Sequence, residues 1–230
     1  MALPVQIPQW FHGWDIVIDS ISVLAALLIS LFSYRAYKLT DNKKYFVFFL
    51  AFLLIGLSFI LKIGIHAWLY YKIFTENTGK ITVQELSGIL DVKVVGSFLY
   101  RLSMLLGLLA IFSLLNRINN VSVNFLFVYF IAILTFFSNY VNFVYHITAT
   151  VMLFIICSLL KENAKRKKTA SATLVFIAFT LLLASQLLFV FEAMQIELYA
   201  IGESVQLLGF SALIIEYILV WYHGNKKTQV

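Results

Sequence analysis

Apolar stretches of about 20 residues, separated by short polar segments, run along the whole chain. About 20 apolar residues are enough for a helix to cross the hydrocarbon core of a bilayer. Seven such stretches can be placed, near residues 15–38, 44–73, 93–116, 121–138, 140–161, 169–193 and 196–223. The pattern therefore predicts an all-α integral membrane protein, a seven-helix bundle that forms a single membrane domain over residues 1–230.

The basic residues between these stretches predict how the chain is oriented. Cytoplasmic segments of membrane proteins carry an excess of Lys and Arg. With the N-terminus outside, three of these residues lie outside, namely Lys72, Lys80 and Lys93. Twelve then lie in the cytoplasm, namely Arg35, Lys38, Lys43, Lys44, Arg117, Lys161, Lys165, Arg166, Lys167, Lys168, Lys226 and Lys227. We expect a multi-pass protein of the cell membrane with its N-terminus outside and its C-terminus in the cytoplasm.

Composition supports the membrane assignment and narrows the partners. The chain is 62% hydrophobic and 12% charged, with a mean hydropathy of +0.92, whereas soluble domains are about one quarter charged. The basic run KENAKRKK, residues 161–168, is then an anchor beside anionic lipid. The predicted partner is the lipid bilayer, and no nucleic acid is expected. The two prolines, Pro4 and Pro8, precede the first span, and the single cysteine, Cys157, excludes an intrachain disulfide.

The second and sixth spans resemble one another at an offset of 127 residues. FFLAFLLIGLSFIL (48–61) aligns with VFIAFTLLLASQLL (175–188), and a shorter offset sets Gly107 of the third span on Gly209 of the seventh. This predicts repeat 1 over about 15–116, a linker helix over about 121–138, and repeat 2 over about 140–223. Because one linker helix restores the direction of the chain, the repeats would be parallel. The alternative is chance similarity between helices rich in Leu, Phe and Ala.

With Glu216 near the end of the seventh span as the exception, the ionisable residues within the spans fall in the half that this topology places outside. Such residues are costly in a membrane, face the bundle interior and often serve function. We predict a polar pocket in this outer half for a small polar ligand, and an inner half sealed by Leu, Phe and Ile. The predicted ligand-binding residues are Asp19, Arg101, His146, Glu203, Gln206 and His66. Two alternatives remain open, because Asp15 and Glu192 could lie in the headgroup layer, and Lys62 could extend outward along its aliphatic stem.

Two finer predictions concern individual side chains. The repeat sets Arg101 and Glu203 at equal depth on the third and seventh helices, so an ion pair between them would offset two costly burials. An imidazole is the side chain that titrates nearest physiological pH. We therefore expect His146→Ala to alter ligand or proton coupling while expression stays nearly normal.

The sequence lacks residues that several known seven-helix membrane proteins require for their chemistry. The last span, AIGESVQLLGFSALIIEYILV, contains no lysine for a retinal Schiff base, so no retinal is expected and any other cofactor stays unknown. The HxxxH pair of seven-helix zinc hydrolases is also missing. A zinc site from His66, His146, Asp19 and Glu203 has suitable ligand types, but these residues are scattered single positions. The plan of three helices, one linker helix and three further helices resembles that of SWEET sugar transporters, but the hinge prolines of those transporters are absent from the spans of this chain.

Two segments resemble a known group of proteins. SYRAYKLTDNKKYFVFFLAFLLIGLSFI (33–60) and ELYAIGESVQLLGFSALIIEY (197–217) are similar to small, mostly uncharacterised prokaryotic, in particular archaeal, seven-helix membrane proteins, and more loosely to the seven-helix sensor regions of some histidine kinases. The resemblance implies a sensor-like or receptor-like binding protein and carries no catalytic residues. A sensor without an effector domain would need a membrane or cytoplasmic signalling partner. The alternatives are a small-solute or proton-coupled transporter and a metal-dependent or haem-dependent membrane enzyme.

Overall fold

Seven helices account for nearly all of the described chain. The computed structural model describes residues 9–11, 13–75, 83–116, 118, 120–139, 141–192 and 194–227, with the backbone alone for 9, 72–75, 83–91, 142 and 220–227. After a short 3-10 turn, the helices are α1 (Trp14–Thr40), α2 (Lys43–Thr75), α3 (Val83–Asn116), α4 (Val121–Ser138), α5 (Asn142–Lys167), α6 (Ala170–Val190) and α7 (Glu197–Lys227). Each is long and apolar enough to cross a membrane. Within these ranges there is no strand, so the prediction of an all-α membrane protein with seven helices is confirmed.

The helices extend beyond the predicted spans where polar residues continue them. Helix α3 begins at Val83, ten residues before the predicted start at 93, and α5 runs to Lys167 through most of the segment predicted as a polar connection. Hydropathy detects only the part of a helix that needs lipid, whereas Ala, Glu and Lys are good helix formers in water as well. Pro4, Pro8, Lys80 and Arg117 lie outside the described residues.

Six of the helices form a closed ring. Helix α2 packs between α1 and α3, α6 packs between α5 and α7, and contacts of α3 with α5 and of α7 with α1 close the circle. Helix α4 packs against α3 and α5, and its aromatic side chains Phe125, Tyr129 and Phe137 are exposed. The helix predicted as a linker therefore lies at the periphery of the ring.

The connections from α1 to α2 and from α5 to α6 have the same geometry. Asp41, which directly follows α1, is in the left-handed conformation with φ 50°, and the Asp41 N–H donates to Tyr37 O at 2.8 Å. Lys168, which directly follows α5, has φ 52°, and the Lys168 N–H donates to Ala164 O at 2.9 Å. Lys168 lies 127 positions after Asp41, and Ala164 lies 127 positions after Tyr37. The offset found in the sequence thus relates two equivalent turns.

Two glycines bring neighbouring helices close together. A β-carbon at Gly107 of α3 would lie 2.8 Å from the carbonyl oxygen of Ala51 in α2, and one at Gly209 of α7 would lie 3.2 Å from that of Ala178 in α6. Both distances are shorter than an ordinary van der Waals contact of a β-carbon. Small residues at such positions are what allows membrane helices to approach closely.

The two halves of the ring differ in character. We call the half near the beginning of α1, α5 and α7 the polar half, and the opposite half the apolar half. Large side chains fill the middle and the apolar half of the interior, and those that are fully buried include Phe52, Leu105, Leu108, Ile111, Leu153, Ile156 and Phe210. The ionisable side chains of the interior, with Glu216 of α7 as an exception, lie in the polar half, as the sequence predicts.

Candidate functional site

Lys62 joins two buried carboxylates at the centre of the polar half. It lies on α2 in a row with Ser58 and His66, since residues four apart share a helix face. Its Nζ donates to Asp19 Oδ1 of α1 at 3.0 Å and to Glu203 Oε1 of α7 at 2.7 Å. The exposed fractions of the three side chains are 14% for Lys62, 0% for Asp19 and 1% for Glu203. We call these three residues the lysine triad. Lys62 points into the bundle, so the outward interpretation of this side chain is wrong.

Polar atoms close to Lys62 keep unused hydrogen-bonding capacity. Asp19 Oδ2, Glu203 Oε2 and Gln206 Nε2 are buried, and none of them has a partner among the residues that the structure describes. A buried polar atom without a partner costs free energy comparable to a lost hydrogen bond. These atoms are therefore candidates for contacts to a ligand, to water or to a proton.

Asp15 lies one turn before Asp19 on α1 and is also fully buried. Its Oδ2 lies 2.9 Å from His66 Nδ1 and accepts from the Tyr70 hydroxyl at 3.0 Å, while its Oδ1 accepts from the N–H of Gly13 at 3.0 Å. Asp15 is thus held inside the bundle by its contacts with α2.

Arg101 is buried at the junction of α3, α4 and α5. Its guanidinium donates to Ser138 O at 2.6 Å, to Ser138 Oγ at 3.2 Å and, through Nε, to the Tyr100 hydroxyl at 3.2 Å. It also lies over the Tyr100 and Tyr145 rings, with its Cζ 5.6 Å and 5.5 Å from their centroids. Such placement over aromatic faces is favourable for a cation.

The predicted ion pair of Arg101 with Glu203 is wrong, because Glu203 binds Lys62 and Arg101 binds Ser138. The prediction used equal depth in the membrane, which says nothing of the angular position around the ring. Helix α7 packs against α1 and α6, and α2 packs on the other side of α1. Lys62 therefore reaches Glu203, while Arg101 on α3 turns toward α4 and α5.

A cavity of about 240 Å³ lies between α2, α3, α5, α6 and α7 in the polar half. Five of the six predicted binding residues line it, namely His66, Arg101, His146, Glu203 and Gln206. Asp19 is not among the lining residues, since it contacts the other side of Lys62. The remaining walls are largely aromatic, with Phe59, Tyr100, Tyr145, Phe189 and Tyr199. The residues chosen from the sequence are thus brought to one place.

His146 is held by an amide. Its Nδ1 lies 3.0 Å from Gln186 Oε1, and its ring packs against Phe189 with 5.2 Å between centroids. This contact fits a neutral imidazole whose Nδ1–H donates to the amide oxygen. The two acids of the lysine triad, Asp19 and Glu203, are both bound to Lys62.

The candidate zinc ligands do not come together. His66 pairs with Asp15 and His146 with Gln186, while Asp19 and Glu203 share Lys62. Over the described part of the chain, no group of three or more His, Cys, Asp or Glu side chains is arranged to hold a metal ion.

The sequence interpretation missed several residues that shape the cavity. From the sequence, an outward orientation of Lys62 was left as an open alternative, although two acids and one lysine at similar depth were a signal for the triad. Ser138 and Gln186 carried no signal, because their importance depends on which helices become neighbours. Tyr100, Tyr145 and Tyr199 were hidden among the 12 tyrosines and 22 phenylalanines of the chain.

Comparisons with models of known protein families, with curated proteins and with solved structures found no match for this chain. The function of the cavity must therefore be inferred from its own geometry.

Proposed function

We propose that this chain is a membrane-embedded, sensor-like or receptor-like protein that binds a small polar molecule in the cavity of its polar half. The observation that carries the proposal is the cavity itself, where charged, imidazole and amide side chains from five helices surround free space inside an apolar bundle. Ionisable groups inside a membrane are costly and generally serve a function. If these ionisable groups served only to hold the helices together, we would expect side chains to fill the space between them.

The size of the cavity points to a small ligand. Ligand pockets commonly measure roughly 300–1,000 Å³, and this cavity, at about 240 Å³, is below that range. A sterol or an acyl chain would not fit without displacement of the walls. An amino acid or a metabolite of similar size is the appropriate class.

The charge of the cavity points to a ligand that is neutral overall. Three cations line it, Lys62, Lys93 and Arg101, together with the two carboxylates of Glu192 and Glu203. Asp19 is a third acid behind Lys62, so acidic and cationic side chains are equal in number around the cavity. A zwitterion could bring its ammonium group to Glu203 Oε2 and its carboxylate toward the donors, while the aromatic walls contact its apolar part.

A thermal unfolding assay on protein purified in detergent tests this proposal. The probes are glycine, alanine, serine and leucine, with the corresponding amines and carboxylates as single-charge analogues. A ligand that binds only the folded state stabilises it by about 2.7 kcal/mol at a concentration of 100 Kd. We expect at least one amino acid to raise Tm with dose and its single-charge analogues to have less effect.

The matched variants are Gln206→Leu in the cavity and Gln195→Leu on the exposed turn before α7. Gln206→Leu should abolish the ligand-induced rise in Tm, because it removes the free amide donor, whereas Gln195→Leu should retain it. If no zwitterion raises Tm, or if Gln206→Leu responds as the unaltered chain does, the proposal is wrong.

We further propose that the polar half faces the outside of the cell membrane. The support is the excess of basic residues in the segments at the opposite end, among them Lys38, Lys43, Lys44 and residues 165–168. These residues would contact the anionic cytoplasmic leaflet. The cavity would then take its ligand from outside.

We also propose that residues 15–116 and 140–223 are parallel repeats related by a pseudo-twofold axis along the membrane normal. The equivalent turns at Asp41 and Lys168 support this, as do the close approaches of Gly107 and Gly209. A further pair of contacts is related by the offset of 127 residues. Ser58 donates to Ile55 O at 2.7 Å, and Ser185 donates to Leu182 O at 2.8 Å.

The paired halves favour one second candidate, a carrier for the same class of solute. Rocking of two repeats about a central site is a common mechanism of alternating access. A carrier would have to open a path past Phe52, Leu108 and Phe210, which fill the interior beyond the cavity. Accumulation of a radiolabelled amino acid in proteoliposomes would support the carrier, and saturable binding without uptake would support the sensor.

A further inference from the structure

The lysine triad has one more carboxylate than it has cations. Lys62 lies between Asp19 and Glu203, and among the described residues it is the only cation within 4.0 Å of either carboxylate. Both acids are almost completely buried, so water offers little compensation. If both acids were ionised, the triad would carry a net charge of −1 inside the membrane.

The surrounding groups do not supply the missing positive charge. The titratable and charged side chains that face the triad from the adjacent elements are Asp15 of α1, His66 and Tyr70 of α2, Lys93, Tyr100 and Arg101 of α3, Tyr145 and His146 of α5, Glu192 after α6, and Tyr199 of α7. His66 pairs with Asp15, and Arg101 is bonded to Ser138. Among the described residues, neither Lys93 nor Arg101 has a side-chain nitrogen within 4.0 Å of a carboxylate oxygen of Asp19 or Glu203. His146 lies against the amide of Gln186.

The free oxygens of the triad indicate how the charge is balanced. Asp19 Oδ2 and Glu203 Oε2 are both buried without a partner among the described residues. An ionised carboxylate oxygen in this position is far more costly than a neutral one. Addition of one proton, taken from water, to one carboxylate turns it into a neutral carboxylic acid and leaves one carboxylate for one ammonium group.

We propose that the lysine triad is a proton-binding site that holds one exchangeable proton on the Asp19–Glu203 pair while Lys62 stays charged. Lys62 Nζ contacts both acids, at 2.7 Å from Glu203 Oε1 and 3.0 Å from Asp19 Oδ1, so it can pair with whichever of them stays ionised. Lys62 and Glu203 line the cavity, which gives the proton a route for exchange. The proposal does not require the cavity to bind a ligand.

Infrared spectroscopy of the purified protein in lipid at pH 7 tests this site. A protonated carboxylic acid gives a C=O stretching band that ionised carboxylates lack, and the band shifts in D₂O if the proton exchanges. All measurements use a Glu216→Gln background, because the half-buried Glu216 near the other end accepts from Ser171 Oγ at 2.5 Å and is a second possible acid. We expect a band equivalent to one carboxylic acid per chain.

Asp19→Asn and Glu203→Gln should each abolish the band, because each leaves a single carboxylate that ionises to pair with Lys62. Asp15→Asn is the control and should retain it. Two variants are used so that one that fails to fold does not remove the test. A band that is absent from the background protein, or that persists in both folded variants, would overturn the proposal.

Discussion

At the scale of single residues, Lys62 organises the polar half because, in the described part of the chain, it is the one side chain that forms ion pairs with both α1 and α7. It binds Asp19 of α1 and Glu203 of α7, two helices that are neighbours in the ring. Removal of one partner from a buried ionic group leaves an uncompensated charge. The stability of the ring should therefore depend on this lysine more than on any exposed one.

Replacement of Lys62 by methionine, which keeps the length and much of the volume of the side chain, tests this dependence. The loss of the ammonium group leaves two acids facing each other, and we expect a destabilisation of about 3–5 kcal/mol. Lys62→Met should show a much lower Tm in detergent, while Lys161→Met, at an exposed position of α5, should behave as the unaltered chain. The double variant Lys62→Met/Glu203→Gln should recover part of the loss. Equal Tm values for the two lysine variants would mean that the triad is dispensable.

The sequence predicted which residues line the cavity better than it predicted their pairing. Depth along a helix can be read by counting residues from a span boundary, and that was enough to collect Arg101, His146, Glu203 and Gln206 in one region. Pairing depends on the rotation of each helix and on the order of helices around the ring. Since neither is encoded in local spacing, Arg101 was matched with Glu203 when its partner is Ser138 of α4.

At the scale of helices, close packing depends on a few glycines. The number of spans was predictable because each helix must be apolar over its own length, but their lengths were not, since α3 and α5 continue into polar sequence. Glycine positions are informative in a different way. Gly107 and Gly209 lie against neighbouring backbone, whereas a β-carbon at Gly64 would meet nothing within 4 Å.

Alanine substitution should separate these glycines by environment. At Gly107 the new methyl group would meet the Ala51 carbonyl at 2.8 Å and Ile55 Cγ1 at 2.7 Å, so we expect a loss of about 1–3 kcal/mol. Gly209→Ala should cost less, because its nearest contact is the flexible end of Leu182. Gly64→Ala is the control and should be neutral or stabilising by up to about 1 kcal/mol, from helix propensity. Thermal unfolding of the three variants measures the order, and a Gly107→Ala protein as stable as Gly64→Ala would contradict it.

At the scale of the whole molecule, the position of the cavity gains meaning only with the orientation of the bundle. Gln195, on the turn before α7, and Arg166, near the end of α5, are both exposed and lie at opposite ends of α6. With the polar half outside, Gln195→Cys should react with a membrane-impermeant maleimide in intact cells, and Arg166→Cys only after lysis. The unaltered chain, whose Cys157 is buried, is the control. The reverse labelling pattern would place the cavity on the cytoplasmic side.

The peripheral position of α4 has a consequence for how this chain can change over evolutionary time. A helix of the ring must match the shape of two neighbours and the lining of the cavity, so most exchanges at its buried positions carry a penalty. Helix α4 has few buried residues, namely Ile131, Thr135 and Ser138, and elsewhere any apolar residue of sufficient length satisfies the lipid. Sequence drift should therefore be fastest in α4, except at Ser138, where the bonds from Arg101 fix the linker to the ring.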